Sequence, residues 1–251
     1  MSGHSKWANI KHRKGAQDAK RAKVFTRLIR ELTIAARQGG GDIEANPRLR
    51  SAVQTARGSN MPNDTIDKAI KRGTGEIEGM IIEEVTYEGY GPGGVAVLVE
   101  CATDNKNRTT AEVRHAFTKF NGNLGSNGCV SYIFDRRGLV ILDGERCDLE
   151  TAMDAAIEAG ADDVEEEGDI ITVTTQMGDL HAVAEALREG GLPVTSAELA
   201  QIPNTLVKVE GGDASTLMKL VTAMDDLDDV SGVSANFDID DDLLAEIEEK
   251  L

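Results

Sequence analysis

Between Met1 and Gly39 the chain carries ten basic residues, Lys6, Lys11, Arg13, Lys14, Lys20, Arg21, Lys23, Arg27, Arg30 and Arg37, against two acidic ones, Asp18 and Glu31. Cations at this density suit one chemistry above others, which is to neutralise phosphates and release counterions from a nucleic-acid backbone. At about 100° per residue, Lys20, Lys23, Arg27, Arg30 and Arg37 share one side of a helix, and Val24, Phe25, Leu28, Leu32, Ala35 and Ala36 share the other. Solvated helix faces usually mix signs to gain i,i+4 pairs. This face is single-signed, so the sequence predicts that one stripe is buried and the other meets a polyanion. Ahead of it, the arm from Ser5 to Lys14 sets the chain's single tryptophan, Trp7, among Lys6, Lys11, His12, Arg13 and Lys14. There the charges can follow phosphates while the ring stacks on a base or docks on the protein, docking being the simpler role. The candidate nucleic-acid-binding set is therefore Lys6, Trp7, Lys11, His12, Arg13, Lys14, Lys20, Lys23, Arg27, Arg30 and Arg37.

Other motifs have weaker claims. Gly89-Tyr90-Gly91-Pro92-Gly93-Gly94 matches G-x-G-x-x-G after an expected strand, but Val95-Ala96-Val97-Leu98-Val99 then reads as a second strand. No helix N-terminus follows to receive a pyrophosphate, and a glycine-rich hairpin is expected instead. Asp238, Asp240, Asp242 and Glu249 copy calcium-loop spacing, yet Leu243 stands where the loop needs glycine, and Leu243, Leu244, Ile247 and Leu251 recur at helical spacing. His4, His12, His115 and His181 form no metal or triad pair, so no metal site is expected. Tyr132 and Phe134 alternate as base-stacking aromatics do, but their flanks lack the basic, glycine-rich pattern of such sheets, and core packing is expected for both. A hydrolase built on Asp104, Asn105 and Arg108 is a distant reading, because that loop is better suited to capping the helix that follows it.

Turn signals at Gly39-Gly40-Gly41, Gly58-Ser59-Asn60 and Gly73-Thr74-Gly75 divide the basic region into helices near 17–37, 46–57 and 62–72. Asn46 before Pro47, and Pro62 before Asn63 and Asp64, mark two of the starts. From Ile81 the period becomes that of strands. Residues 81–87, 94–100 and 129–134 read as strands around a helix at 107–120. Residues 138–142, 149–159, 162–167, 170–175, 179–190 and 194–202 then read as a complete βαββαβ unit. An extended piece at 206–209, a helix at 214–227, a strand at 230–236 and an acidic helix follow. The predicted fold is α+β, with a helical N-terminal domain followed by two α+β (ferredoxin-like) domains, the last inserted into the middle one. Boundaries are expected at 1–78, at 79–134 plus 204–251, and at 135–203.

The 251 residues are 40% hydrophobic and 28% charged, which fits a globular chain of more than one domain. The longest near-apolar run, Val95–Val99, is too short to span a bilayer, and Met1–Lys14 lacks the apolar core of a secretory signal. A cytoplasmic location without membrane contact is expected. Cys101, Cys129 and Cys147 suggest neither a disulfide framework nor a zinc ribbon. Net charge is −17, but residues 1–75 hold 16 Lys and Arg against 6 Asp and Glu, and the remainder 11 against 38. Such asymmetry predicts a basic module for a polyanion, joined to an acidic body.

The arm Gly3-His4-Ser5-Lys6-Trp7-Ala8-Asn9-Ile10-Lys11-His12-Arg13-Lys14 resembles the opening signature of the YebC family. Met61-Pro62-Asn63-Asp64-Thr65-Ile66, Tyr87–Gly94, Thr103–Thr109, Phe134-Asp135-Arg136-Arg137-Gly138 and Asn236-Phe237-Asp238 resemble further family motifs, in order, so that the likeness covers essentially the whole chain. One departure is Ser234, where the family often has an aromatic residue. The resemblance implies three domains with the last inserted, no enzymatic activity, no cofactor and no small-molecule substrate. It also implies a regulatory role, either in transcription through DNA or in translation through ribosomal RNA and the ribosome. DNA binding by the basic N-terminal domain is the first expectation and the translation factor its alternative.

Overall fold

The computed structural model describes residues 18–79 and 81–248. Three helices come first, α1 (Asp18–Gly39), α2 (Pro47–Gly58) and α3 (Asn63–Thr74). Leu28, Leu32, Ala35, Ala36, Leu49, Val53, Met61, Ile66 and Ala69 form their common core. Of the expected apolar stripe on α1, Val24 departs, being 41% exposed. Asn46 fixes the first corner. Its side chain accepts from Leu49 N, capping α2, and donates to the carbonyls of Ala35 and Gly40 at 2.8 and 2.9 Å, so the end of α1 and the start of α2 share one buried amide. The α1–α3 crossing is close at Gly73, where a Cβ would stand 2.4 Å from the Thr33 carbonyl oxygen.

A central hairpin follows, β1 (Glu83–Tyr90) and β2 (Ala96–Thr103), antiparallel throughout. Its connection is the glycine-rich segment, with Gly93 and Gly94 at φ of 72° and 76°, where side chains with a Cβ are strained. The expected hairpin therefore stands, with a three-residue 3-10 turn at Pro92–Gly94 and no α-helix opening there. Helix α4 (Lys106–Lys119) and a two-residue strand β3 (Asn123–Leu124) come next. The chain leaves this layer, and after the second sheet it returns with β8 (Val207–Lys208), α7 (Gly211–Asp225), β9 (Val230–Ala235), β10 (Phe237–Asp238) and α8 (Asp241–Glu248). The first sheet has the order β3-β1-β2-β9, so its edges are filled from sequence-distant segments. Val97, Val99 and Cys101 of β2 pack with Val113 and Phe117 of α4 and with Leu217, Leu220 and Met224 of α7. Asn236 (3% exposed) links the returning strands to the hairpin, accepting from Ala96 N at 2.7 Å and donating to Thr205 O at 3.0 Å. Ser234 is a buried position of β9 opposite Leu98. Leu244 and Ile247 of α8 are buried, as the helical reading of that acidic segment requires.

The second sheet runs β4 (Phe134–Asp143), α5 (Leu149–Glu158), β5 (Asp163–Glu167), β6 (Ile170–Thr175), α6 (Leu180–Glu189) and β7 (Val194–Pro203). Its order β5-β6-β4-β7 is the arrangement of a βαββαβ unit, inserted between the two halves of the first sheet layer. Val140, Leu142, Ile171 and Val173 face Ala152, Val183 and Leu187 across one core.

The strand expected at 129–134 does not form. The buried carboxylate of Glu88 accepts from the backbone N–H groups of Gly128, Val130 and Ser131 at 2.7–2.8 Å, which removes the donors a strand ladder would need. Burial opposes that ionised carboxyl, but the three N–H bonds prevail and its pKa is lowered. Ser131–Ile133 is instead a 3-10 turn that leaves Tyr132 71% exposed, while Phe134 is buried as expected.

Two alanine substitutions separate packing from propensity. Gly73→Ala should cost roughly 1–3 kcal/mol through the α1–α3 clash. Gly58→Ala, with nothing within 4 Å of the new Cβ, should be neutral or stabilise by about 0.5–1 kcal/mol. Urea denaturation of the two variants checks both.

Candidate nucleic-acid interface

The cations of α1 have anionic company inside the same chain. Lys23 Nζ donates to the Asp225 carbonyl and lies 3.3 Å from an Asp226 carboxylate oxygen. Arg27 Nη2 donates to the Asp225 carbonyl and to its carboxylate at 3.2 Å. Arg30 Nη1 donates to the Asp228 carbonyl, and Nη2 to Asp229 Oδ1 at 2.8 Å. The stripe predicted to face a polyanion therefore faces the turn between α7 and β9. These three side chains are only 17–20% exposed, so they are not a solvated face either. Arg37 is exposed on the last turn of α1. Lys20 lies on the first turn, and its side chain is outside the described set. Lys6, Trp7, Lys11, His12, Arg13 and Lys14 lie outside the described residues.

Asp229 is the centre of this arrangement, with its side chain 1% exposed. Oδ1 takes Arg30, while Oδ2 accepts from Thr103 Oγ1 at 3.0 Å, Thr109 Oγ1 at 2.7 Å and Arg108 Nη2 at 2.6 Å. Burial alone would raise this carboxyl, but the bonds from Arg108, Thr109 and Thr103, together with the Arg30 charge, lower it on balance. Arg108 also meets Asp104 at 2.9 Å, and Asn105 caps α4 by accepting from Arg108 N at 3.2 Å. The Thr103–Thr109 motif thus caps a helix, as expected, and in addition holds the Asp229 carboxylate.

A second tie joins α2 to the first sheet. Arg48 spans Glu31 of α1 at 2.7 Å and Glu84 of β1 at 2.7 Å, and Gln38 donates to Glu84 at 2.9 Å. The Arg48 hydrogen bond, outweighing burial, holds the Glu84 carboxyl below its ordinary range. Sequence reading missed both ties, since the Asp225-Asp226-Leu227-Asp228-Asp229 run reads as the polar end of an amphipathic helix. Four exposed cations of the helical unit, Arg57, Lys68, Lys71 and Arg72, have no carboxylate partner among the described residues. Only the overall basic count of residues 1–75 pointed to them. Among the described residues no cluster of His, Cys, Asp and Glu could hold a metal ion, and no helix is long and apolar enough to cross a membrane.

The model of the TACO1/YebC N-terminal domain matches residues 5–76, and that of the TACO1/YebC second and third domain matches residues 82–237. The chain belongs to the YebC family. A probable transcriptional regulatory protein of Magnetococcus marinus is 54% identical over 97% of this chain and 98% of its own length. One from Geobacter sulfurreducens is 56% identical over 95% of this chain and 96% of its own. The crystal structure of a conserved hypothetical protein from Aquifex aeolicus superposes with a TM-score of 0.85 at 46% identity, covering 90% of this chain and 94% of that one. The Magnetococcus and Geobacter relatives are both named as probable transcriptional regulatory proteins, and the α+β fold with its helical N-terminal region is shared with a solved relative.

In this YebC-family chain Asp229→Ala should cost about 3–5 kcal/mol, because a buried charge with several donors is removed from one side only. The pH dependence has a definite sign. A carboxyl lowered in the folded state contributes its full stability above the unfolded value of about 3.9, and loses it as pH falls through the folded value. Denaturant midpoints should therefore be insensitive to Asp229 from neutral pH to about 5 and should fall below about 4; Asp229→Ala should lack that component.

Proposed function

We propose that this protein is a regulatory protein that binds nucleic acid, and DNA in the first instance, through the phosphate backbone and without catalysis or cofactor. It acts in the cytoplasm. The observation that carries this reading is the sign separation along the chain, 16 basic against 6 acidic residues in 1–75 and the reverse imbalance beyond. A net charge of −17 would repel a polyanion unless the cations were gathered in one module. The α1 stripe supports it further. Lys23, Arg27 and Arg30 hold a row of carbonyl and carboxylate oxygens along two turns of helix, about 10 Å, a spacing that would also admit phosphate oxygens in series. The names of the relatives agree with a regulator.

The proposed grip comprises the arm residues Lys6, Trp7, Lys11, His12, Arg13 and Lys14, with Lys20, Lys23, Arg27, Arg30 and Arg37 along α1. Phosphate contacts carry no sequence information, so the target is not specified by these groups. Crosslinking in cells followed by sequencing of the bound nucleic acid tests the reading. Enrichment of promoter DNA supports it, ribosomal RNA reads would move the function to translation, and recovery at background would overturn it. In vitro, replacing Lys6, Lys11, Arg13 and Lys14 with Gln should make the slope of log K against log salt less negative by roughly 3–4 units, at about 0.7–0.9 per phosphate contact. An unchanged slope would remove the arm from the interface.

A further inference from the structure

We propose that the Asp225–Asp229 turn is an internal competitor for the phosphate backbone, occupying Lys23, Arg27 and Arg30 with its own oxygens until nucleic acid displaces it. The inference rests on the nucleic-acid reading above and adds its regulation.

Three features of the contact favour displacement over permanent docking. Arg27 is incompletely used, since its buried Nε has no hydrogen-bond partner among the described residues while Nη2 holds Asp225. A phosphate taken through Nε–H and Nη–H together would satisfy that donor, which the turn leaves unpaired. Secondly, Asp229 keeps most of its donors without α1. If Arg30 leaves, Oδ1 loses that partner, but Oδ2 keeps Arg108, Thr103 and Thr109, so the buried carboxylate is not left without donors when the contact opens. Thirdly, the outer part of the contact is wet. The Asp226 carboxylate is 75% exposed where it meets Lys23, and such pairs are weak and easily exchanged for a stronger anion. Burial, and after it the nearby Arg27 charge, lower the Lys23 pKa despite Asp226 and Asp225, so the turn does not fully offset the cost of holding this ammonium in place.

The geometry also says what opening would do. Lys23, Arg27 and Arg30, now largely covered, would become an accessible row of cations along α1. The acidic body, which repels phosphate, would move away from it. Closed and open forms would then differ in affinity for phosphate oxygens by the contribution of three cations, which is the condition for a ligand to shift the balance between them.

The test uses the full chain and two probes, a DNA duplex and an RNA hairpin, at fixed salt. Asp225→Asn with Asp226→Asn weakens the clasp. Asp213→Asn with Asp228→Asn makes the same charge change at exposed residues whose carboxylates take no part, Asp228 contributing only its carbonyl. The clasp variant should bind about 10-fold more tightly than this control, a shift within the usual range of intramolecular coupling. Adding Lys23→Gln and Arg27→Gln to it should cancel the gain. Should the double variant fail to fold by circular dichroism, Asp226→Asn alone compared with Asp228→Asn should show a smaller gain of the same sign. Equal binding by clasp and control variants, with wild type binding normally, overturns the inference and leaves the functional reading standing. No binding of either probe by wild type or any variant overturns the functional reading and the inference with it. A gain confined to the RNA hairpin supports the competitor and makes RNA the partner.

Discussion

One buried carboxylate, Asp229, ties together segments that the chain order keeps far apart. It lies just before β9, receives Thr103 from the end of β2 and Thr109 and Arg108 from α4, and turns its remaining oxygen to Arg30 of α1. A carboxylate at 1% exposure is tolerable only when its lone pairs are filled, and here five donor groups from three elements converge on it, counting both Nε and Nη2 of Arg108. That requirement fixes where α4 begins, how β9 enters the sheet and where α1 can rest. The Arg48 link to Glu31 and Glu84 is the lesser counterpart on the other side of the helical unit.

The same arrangement resolves an apparent conflict in the composition. A chain with a strongly basic first third and a strongly acidic remainder must pair some of its own charges when it folds, and α1 meets the densest aspartate run in reach. Sign separation therefore gives the chain's own units an attraction for one another, and under the proposed function it would also present a surface to an external polyanion. Under the proposal above, the use that prevails at α1 would depend on whether phosphate or the Asp225–Asp229 turn supplies the better set of oxygens.

Local pattern made much of this visible. Apolar residues at helical spacing and the Asn46-Pro47 start place the three basic helices within two residues of their ends, because those signals act over a few neighbours. The βαββαβ order is legible for the same reason, its strands and helices alternating with clear changes of period. Long-range acceptors were not legible. The segment at 129–134 has strand-like residues, but its N–H groups go to Glu88 some forty positions earlier, so Tyr132 faces solvent and not a core. The α1 stripe reads as free because its acceptors lie about two hundred residues away. The candidate site was therefore found as a set of cations, and the turn that engages three of them was not.

If the helical unit is held to the first sheet by charge, Arg30 and Asp229 are energetically coupled. A double-mutant cycle with Arg30→Gln, Asp229→Asn and the combined variant, followed by urea denaturation at neutral pH, measures this directly. The account predicts a coupling of about 1–3 kcal/mol, the double variant losing less than the sum of the single losses. Additive losses would show that α1 sits beside the Asp225–Asp229 turn without being held by it, and would contradict the account.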